Sequence, residues 1–187
     1  MTAVDASLAA PEGAPNPTKA IDTRLVDVLG ALPLGSFGAR GTNPPPDERN
    51  LAFRNLVRGN MVELATGQQL AQQFGVTPLT ADEILDGNGG VPLRGEAGID
   101  EAVLTTASPL WFYVLREAEF HGGKLGPVGG RIVAEVFHRA MEGSAHSIVR
   151  DPAWQPTLGG RGAGVFEMVD LLWFAAKENP AVIAPLG

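Results

Sequence analysis

A mainly α-helical fold is predicted for this chain, and three observations predict it. Side-chain oxygens suited to capping stand ahead of apolar segments at Thr66, Thr80 and Ser108. Behind them the apolar residues recur at three- and four-residue spacing. No sustained period-two run appears, and no two-residue hairpin turn joins apolar segments.

The elements follow in order. Residues 1 to about 18 are rich in Ala and Pro and read as a flexible arm. Ile21, Leu25, Val28 and Leu29 fit a short helix or turn docked on a core, and the run from Gly35 to Pro46 breaks it as a Gly/Pro-rich loop. From about Asp47 to Arg58, the apolar positions Leu51, Phe53, Leu56 and Val57 predict a mostly buried helix that Gly59 ends. Thr66 then caps a helix with a Leu70/Phe74 pair one turn apart and Gly75 as its stop. Thr80 and Glu83 have capping-box spacing, so a short helix runs through Leu85. Asp86 to Gly98 holds five glycines and a proline and reads as a loop.

In the second half, Ser108-Pro109 places a hydroxyl cap before proline at the first helical position, and Leu110, Trp111, Val114, Leu115 and Ala118 form an apolar stripe. Gly126-Pro127 begins another helix. Val128, Ile132, Val133, Val136, Phe137 and Ala140 form its inner face, with Arg131, Glu135, His138 and Arg139 on the wet side. Gly129-Gly130 lets a neighbour approach closely. A last helix is predicted from Val165 to about Glu178, with Met168, Leu171, Leu172 and Ala175 inward and Asp170 and Lys177 outward. Residues 19–187 therefore read as a single helical domain without internal repeats.

Composition narrows the function classes. With 187 residues, 44% of them hydrophobic, one ordinary core is expected. The net charge of −7, from 21 acids against 14 bases with no Lys/Arg-dense window, argues against nucleic acid as a partner. The absence of cysteine excludes disulfides, thiolate zinc sites, iron–sulfur clusters and cysteine nucleophiles. The N-terminus has no signal-peptide pattern, and no apolar run approaches the ~20 residues of a membrane span, so a cytoplasmic or otherwise soluble protein is expected.

Familiar catalytic patterns are missing. His121 sits near a helix C-terminus, His138 on a polar face and His146 in a loop, with no metal-ligand spacing among them. Gly159 to Gly164 loosely resembles a dinucleotide loop, yet no strand precedes it. His121 to Leu125 lacks the spacing and hydroxyl of a phosphate loop, and Ser108, Ser144 and Ser147 lack a nucleophile context. No catalytic residue and no protein metal ligand is assigned.

Asn55 and Arg58 stand out inside NLAFRNLVRG (50–59). Three apart on a helix, they are placed to meet one object lying across that face. Equally, Arg58 can cap carbonyls or pair with a surface acid while Asn55 satisfies a neighbouring helix end.

Several words, taken in order, resemble the C-terminal part of bacterial members of the animal haem peroxidase superfamily, a mostly α-helical group that includes myeloperoxidase and the cyclooxygenases. They are KAIDTRL (19–25), NLAFRNLVRGNMVELATGQQLAQQFG (50–75), PLWFYVLREA (109–118), LGPVGGRIVAEV (125–136), WQPTL (154–158) and MVDLL (168–172), spanning about residues 19 to 175. The resemblance implies haem as cofactor and peroxide-dependent oxidation of an unspecified substrate. It implies that Asn55 accepts the second ring proton of the proximal histidine, which fixes the imidazole's tautomer and raises its basicity. It also implies that Arg58 lies near a haem propionate, for which a guanidinium fork is well suited.

One departure shapes the expectation. The family's proximal histidine, distal histidine and distal arginine lie upstream of these words, and His121, His138 and His146 all follow the asparagine helix. Two readings remain: part of a peroxidase whose upstream segment or partner chain supplies the histidines, or a degenerate haem-free relative serving as a binding or scaffold module.

Overall fold

The computed structural model describes residues 19–33, 45–156 and 166–175. The expected arm over 1–18, most of the loop over 35–46, the glycine-rich run at 159–164 and the ends of the last helix lie outside the described residues. The described elements are helical: α1 (Asp27–Gly30), a 3-10 turn (Pro46–Arg49), α2 (Leu51–Met61), α3 (Gly67–Phe74), α4 (Ala81–Asp86), α5 (Glu101–Thr106), α6 (Leu110–Glu119), α7 (Pro127–Gly143), a second 3-10 turn (Ile148–Arg150) and α8 (Met168–Ala175). No strand occurs among the described residues, so the mainly α expectation holds. By contacts the chain divides into two compact units, Lys19–Phe137 and one that contains the described residues from His138 onward.

Local chemistry explains most boundaries in the first unit. The expected Thr66 cap forms and is completed as a capping box by Gln69: the Thr66 hydroxyl accepts from Gln69 N at 3.2 Å while the Gln69 side chain accepts from Thr66 N at 2.8 Å. At α4 the Thr80 hydroxyl accepts from Glu83 N at 3.2 Å, and Glu83 accepts from Thr80 N at 2.7 Å. Gly75 closes α3 at φ 68°, a left-handed conformation that glycine adopts without a Cβ clash.

Three boundaries differ from expectation. The segment expected to be one helix from Asp47 opens instead with a 3-10 turn, and Asn50 caps α2 by accepting from Phe53 N at 3.1 Å. Gly59 does not end α2, which runs on to Met61; the chain reverses at Glu63, itself in the left-handed region at φ 50°. Glycine was a stop signal in the sequence, but a non-glycine residue takes the strained conformation four residues later. Nor is α2 mostly buried: none of its residues is fully buried, and Phe53, Val57 and Met61 are 44%, 41% and 74% exposed.

Ser108 does not cap α6. Its hydroxyl instead donates to Leu104 O at 2.6 Å, and Pro109 holds the capping position without a side-chain bond. This follows from α5, which the sequence reading passed over: Asp100 caps it by accepting from Val103 N at 3.1 Å, and Ser108 closes its far end. Gln68 of α3 ties the junction by donating to Thr105 O and Ser108 Oγ at 3.0 and 2.9 Å and accepting from Ser108 N at 2.9 Å.

Helix α6 is the hub, packed by α2, α3 and α4. Tyr113 is fully buried with Ala71 and Val128, ringed by half-buried Leu70, Phe74, Leu110 and Val114. Its hydroxyl accepts from Leu79 N at 2.9 Å, so the buried phenol is satisfied. The C-terminal half of α6 buries charge, which its apolar stripe did not announce. Glu117 accepts from Val128 N at 3.0 Å and Gly129 N at 3.0 Å, neutralising the amides at the start of α7. Gly129 is buried beside Val114, with room for little more: a Cβ there would stand 3.2 Å from the valine's Cβ. Farther along α7, Val133, Val136 and Phe137 are exposed, not the inner face their spacing suggested.

Candidate functional site

The Asn55 region is a groove between α2 and α6 of about 180 Å³. Asn55, Leu56, Gly59 and Asn60 form one wall; Pro109, Leu110 and Trp111 form the other. The reversal at Glu63 closes one end, because Leu64 N donates to Gly59 O at 3.0 Å and so brings the Leu64 side chain into the groove. A larger residue than glycine at 59 would meet that leucine, whose nearest carbon is 3.6 Å from an added Cβ.

Within this groove, Asn55 is half-buried, and its carboxamide has no hydrogen-bond partner among the described residues. Its amide atoms are not fully enclosed, so the group stands open to a partner from outside the described residues. Arg58 is exposed, does not line the groove and has no acidic partner among the described residues. Three steps of ~100° place the two side chains about 60° apart around α2, which is why one enters the groove and the other stands beyond its rim.

The residues present do not make a complete haem site. None of the three histidines lines the groove, and His121, His138 and His146 are all exposed. Tyr113, the single tyrosine, is buried and engaged with Leu79. No cluster of three or more His, Asp or Glu residues able to hold a metal occurs among the described residues. At about 180 Å³ the groove is also smaller than the roughly 300–1,000 Å³ typical of enclosed ligand sites. Among the described residues, what the groove offers is an amide without a partner at a largely apolar wall and a cation without an acidic partner beside it.

A second polar cluster, missed in the sequence, lies at the other end of α6. Arg116 is fully buried and donates to Glu119 Oε2 at 2.8 Å and to Val91 O at 2.5 Å, with its guanidinium 5.2 Å from the Phe112 ring centre. Its Nε has no partner. Glu119 also accepts from Thr23 Oγ1 at 2.7 Å, Thr23 N at 3.1 Å and Asn88 N at 2.9 Å. Burial pushes its carboxyl pKa up, but the Asn88 amide, the Thr23 hydroxyl, Arg116 and the Thr23 amide together outweigh burial and hold it below the usual range. Apart from the Arg116 Nε, the polar side-chain groups here are bonded to one another or to backbone, so the cluster is structural.

No described helix is long and apolar enough to cross a membrane. Comparison with protein-family models, curated proteins and solved structures finds no match to this chain.

Proposed function

We propose that this chain is part of a haem peroxidase-family protein, catalysing peroxide-dependent oxidation once a complementary segment or partner chain brings the proximal and distal histidines. In that assembly Asn55 receives the ring N–H of the proximal imidazole and Arg58 pairs with a haem propionate. Haem would supply the redox chemistry; this chain orients its ligand and neutralises its acidic edge. The observation that carries the reading is the unpaired Asn55 carboxamide at an apolar groove, supported by the ordered words that resemble the family. The exposed Phe53, Val57 and Met61 on the same helix fit a surface that another polypeptide covers.

The absence of histidine from the groove favours a second reading, a haem-free relative used as a binding module. Hemin titrated into the chain with imidazole as a surrogate ligand separates them. The peroxidase reading expects a saturable Soret band that weakens in Asn55→Ala and Arg58→Ala. Failure of the wild-type chain to give that band, or equal bands from all three proteins, would overturn it.

A further inference from the structure

Residues 19–32 cross the outer side of α2 and α6 as a strap, and a cleft of about 260 Å³ lies beneath it. Ile21, Leu25 and Leu29 form its roof; Ala52 of α2 and Trp111 and Leu115 of α6 form its floor. The strap is pinned at both ends. At one end Ile21 N donates to Gly123 O at 2.9 Å, Thr23 is held by Glu119, and Arg24 donates to Gly89 O and Gly90 O at 2.9 and 3.0 Å. At the other, Leu32 N donates to Arg49 O at 3.0 Å, and Arg49 Nε returns a bond to Leu32 O at 2.9 Å.

Those anchors bear on why the space stays open. Protein interiors close-pack, and a gap larger than a water persists only where the surrounding chain is prevented from collapsing into it. Here the strap cannot slide inward without breaking bonds at both ends. Its polar side chains are also engaged elsewhere: Asp22 pairs with Lys19 at 3.6 Å and accepts from Arg24 N at 2.7 Å. Lys19, Asp22, Thr23 and Arg24 also line the cleft. Lys19 and Asp22 pair with each other, Thr23 with Glu119 and Arg24 with the Gly89 and Gly90 carbonyls, which leaves hydrocarbon and an indole as the rest of its surface.

We propose that this cleft is a binding site for a small, uncharged, apolar molecule about the size of one aromatic ring. At about 260 Å³ the cleft, open along one side to solvent, has room for a single aromatic ring, since an enclosed apolar cavity of ~150 Å³ takes up benzene. A charged ligand is disfavoured because it would lose its hydration without gaining a partner. Trp111 also lines the Asn55 groove, so a molecule in the cleft and one in the groove would share an indole wall. The inference stands apart from the haem reading, since it needs neither iron nor Arg58.

Toluene titration, followed by the methyl resonances of Ile, Leu, Val and Ala, tests it. Saturable shifts are expected at Ile21, Leu25, Leu29, Ala52 and Leu115, with none at exposed Val133 and Val136. Shifts that grow without saturation, or fall equally on those exposed valines, overturn the proposal. Ala52→Phe fills the floor and is expected to weaken binding by about tenfold or more, equivalent to ~1.4 kcal/mol; unchanged affinity in a folded variant overturns it. Should that variant fail to fold, Val26→Trp at the exposed rim serves instead with the same expectation. Toluene carries no iron ligand and no carboxylate, so its result and the hemin result are independent.

Discussion

Glu119 receives both the hydroxyl and the backbone N–H of Thr23, at 2.7 and 3.1 Å, from 96 residues earlier in the chain. Together with the ion pair to fully buried Arg116, this fastens the N-terminal strap to the hub helix. Removing the carboxylate leaves a buried guanidinium without its counter-charge. Glu119→Gln is therefore expected to destabilise the unit by about 3–5 kcal/mol. Replacing both partners with apolar residues, as in Arg116→Met with Glu119→Leu, should cost less than the two single changes summed, because no orphan charge remains. Urea midpoints of the four proteins measure the coupling; simple additivity would show that the pair does not act as a unit.

Acid should loosen the same attachment. The folded-state pKa of Glu119 is lowered, so it stabilises the fold above the ordinary glutamate range of ~4.3 and loses that contribution as pH falls below it toward the lowered value. Asp86 acts in the same direction: its hydrogen bond from Arg94 lowers its pKa, though the pair is exposed. The charged neighbour facing Glu119 is Arg116 from α6, while Arg24 of the strap is engaged with the Gly89 and Gly90 carbonyls. Stability measured from pH 7 down to pH 3 should decline more steeply for wild type than for Glu119→Gln. Parallel curves would remove Glu119 from the explanation.

The helix crossing at Gly67 makes a steric prediction. Gly67 is buried at the start of α3, where an added Cβ would run into the Tyr113 ring. Tyr113 has no room to yield: it is fully buried and its hydroxyl holds Leu79 N. Although alanine is the better helix former, Gly67→Ala should lower stability by about 1–3 kcal/mol through overpacking. Thermal unfolding checks the sign, and an unchanged or raised Tm would mean that α3 shifts to accommodate the methyl.

These cases show which features a linear sequence exposes. The Thr66 cap and the Thr80 capping box were legible because the partners lie within three residues and need no tertiary information. The burial of Arg116 and Glu119 was not, since helical periodicity assigns such residues to water and only Thr23 and the loop at Asn88 to Val91 reverse that. Ser108 illustrates a shared signal: one hydroxyl beside one proline serves either to open α6 or to close α5, and the Gln68 and Leu104 contacts decide for the latter. At the candidate site, Asn55 was identifiable as a polar residue inside an apolar helix. Its separation from Arg58 follows from their 60° offset, and the enclosing Leu64 depends on a left-handed Glu63 that nothing nearby in the sequence signalled.

That separation gives the last prediction. Neither the Asn55 carboxamide nor the Arg58 guanidinium has an acceptor or donor to lose within the described residues, and Arg58 is exposed. Substitution at Arg58 should therefore alter folding stability by no more than about 0.5 kcal/mol, as is usual for surface positions without special contacts. Asn55→Leu should be neutral or slightly stabilising, because it exchanges an unpaired amide for hydrocarbon against Leu110 and Trp111. Denaturant unfolding of each variant provides the measurement. A loss above about 2 kcal/mol at either position would reveal a structural role and leave no reason to assign it to a ligand. A neutral result, paired with weakened hemin binding in the presence of imidazole, would place both side chains among residues kept for what they hold and not for what they stabilise.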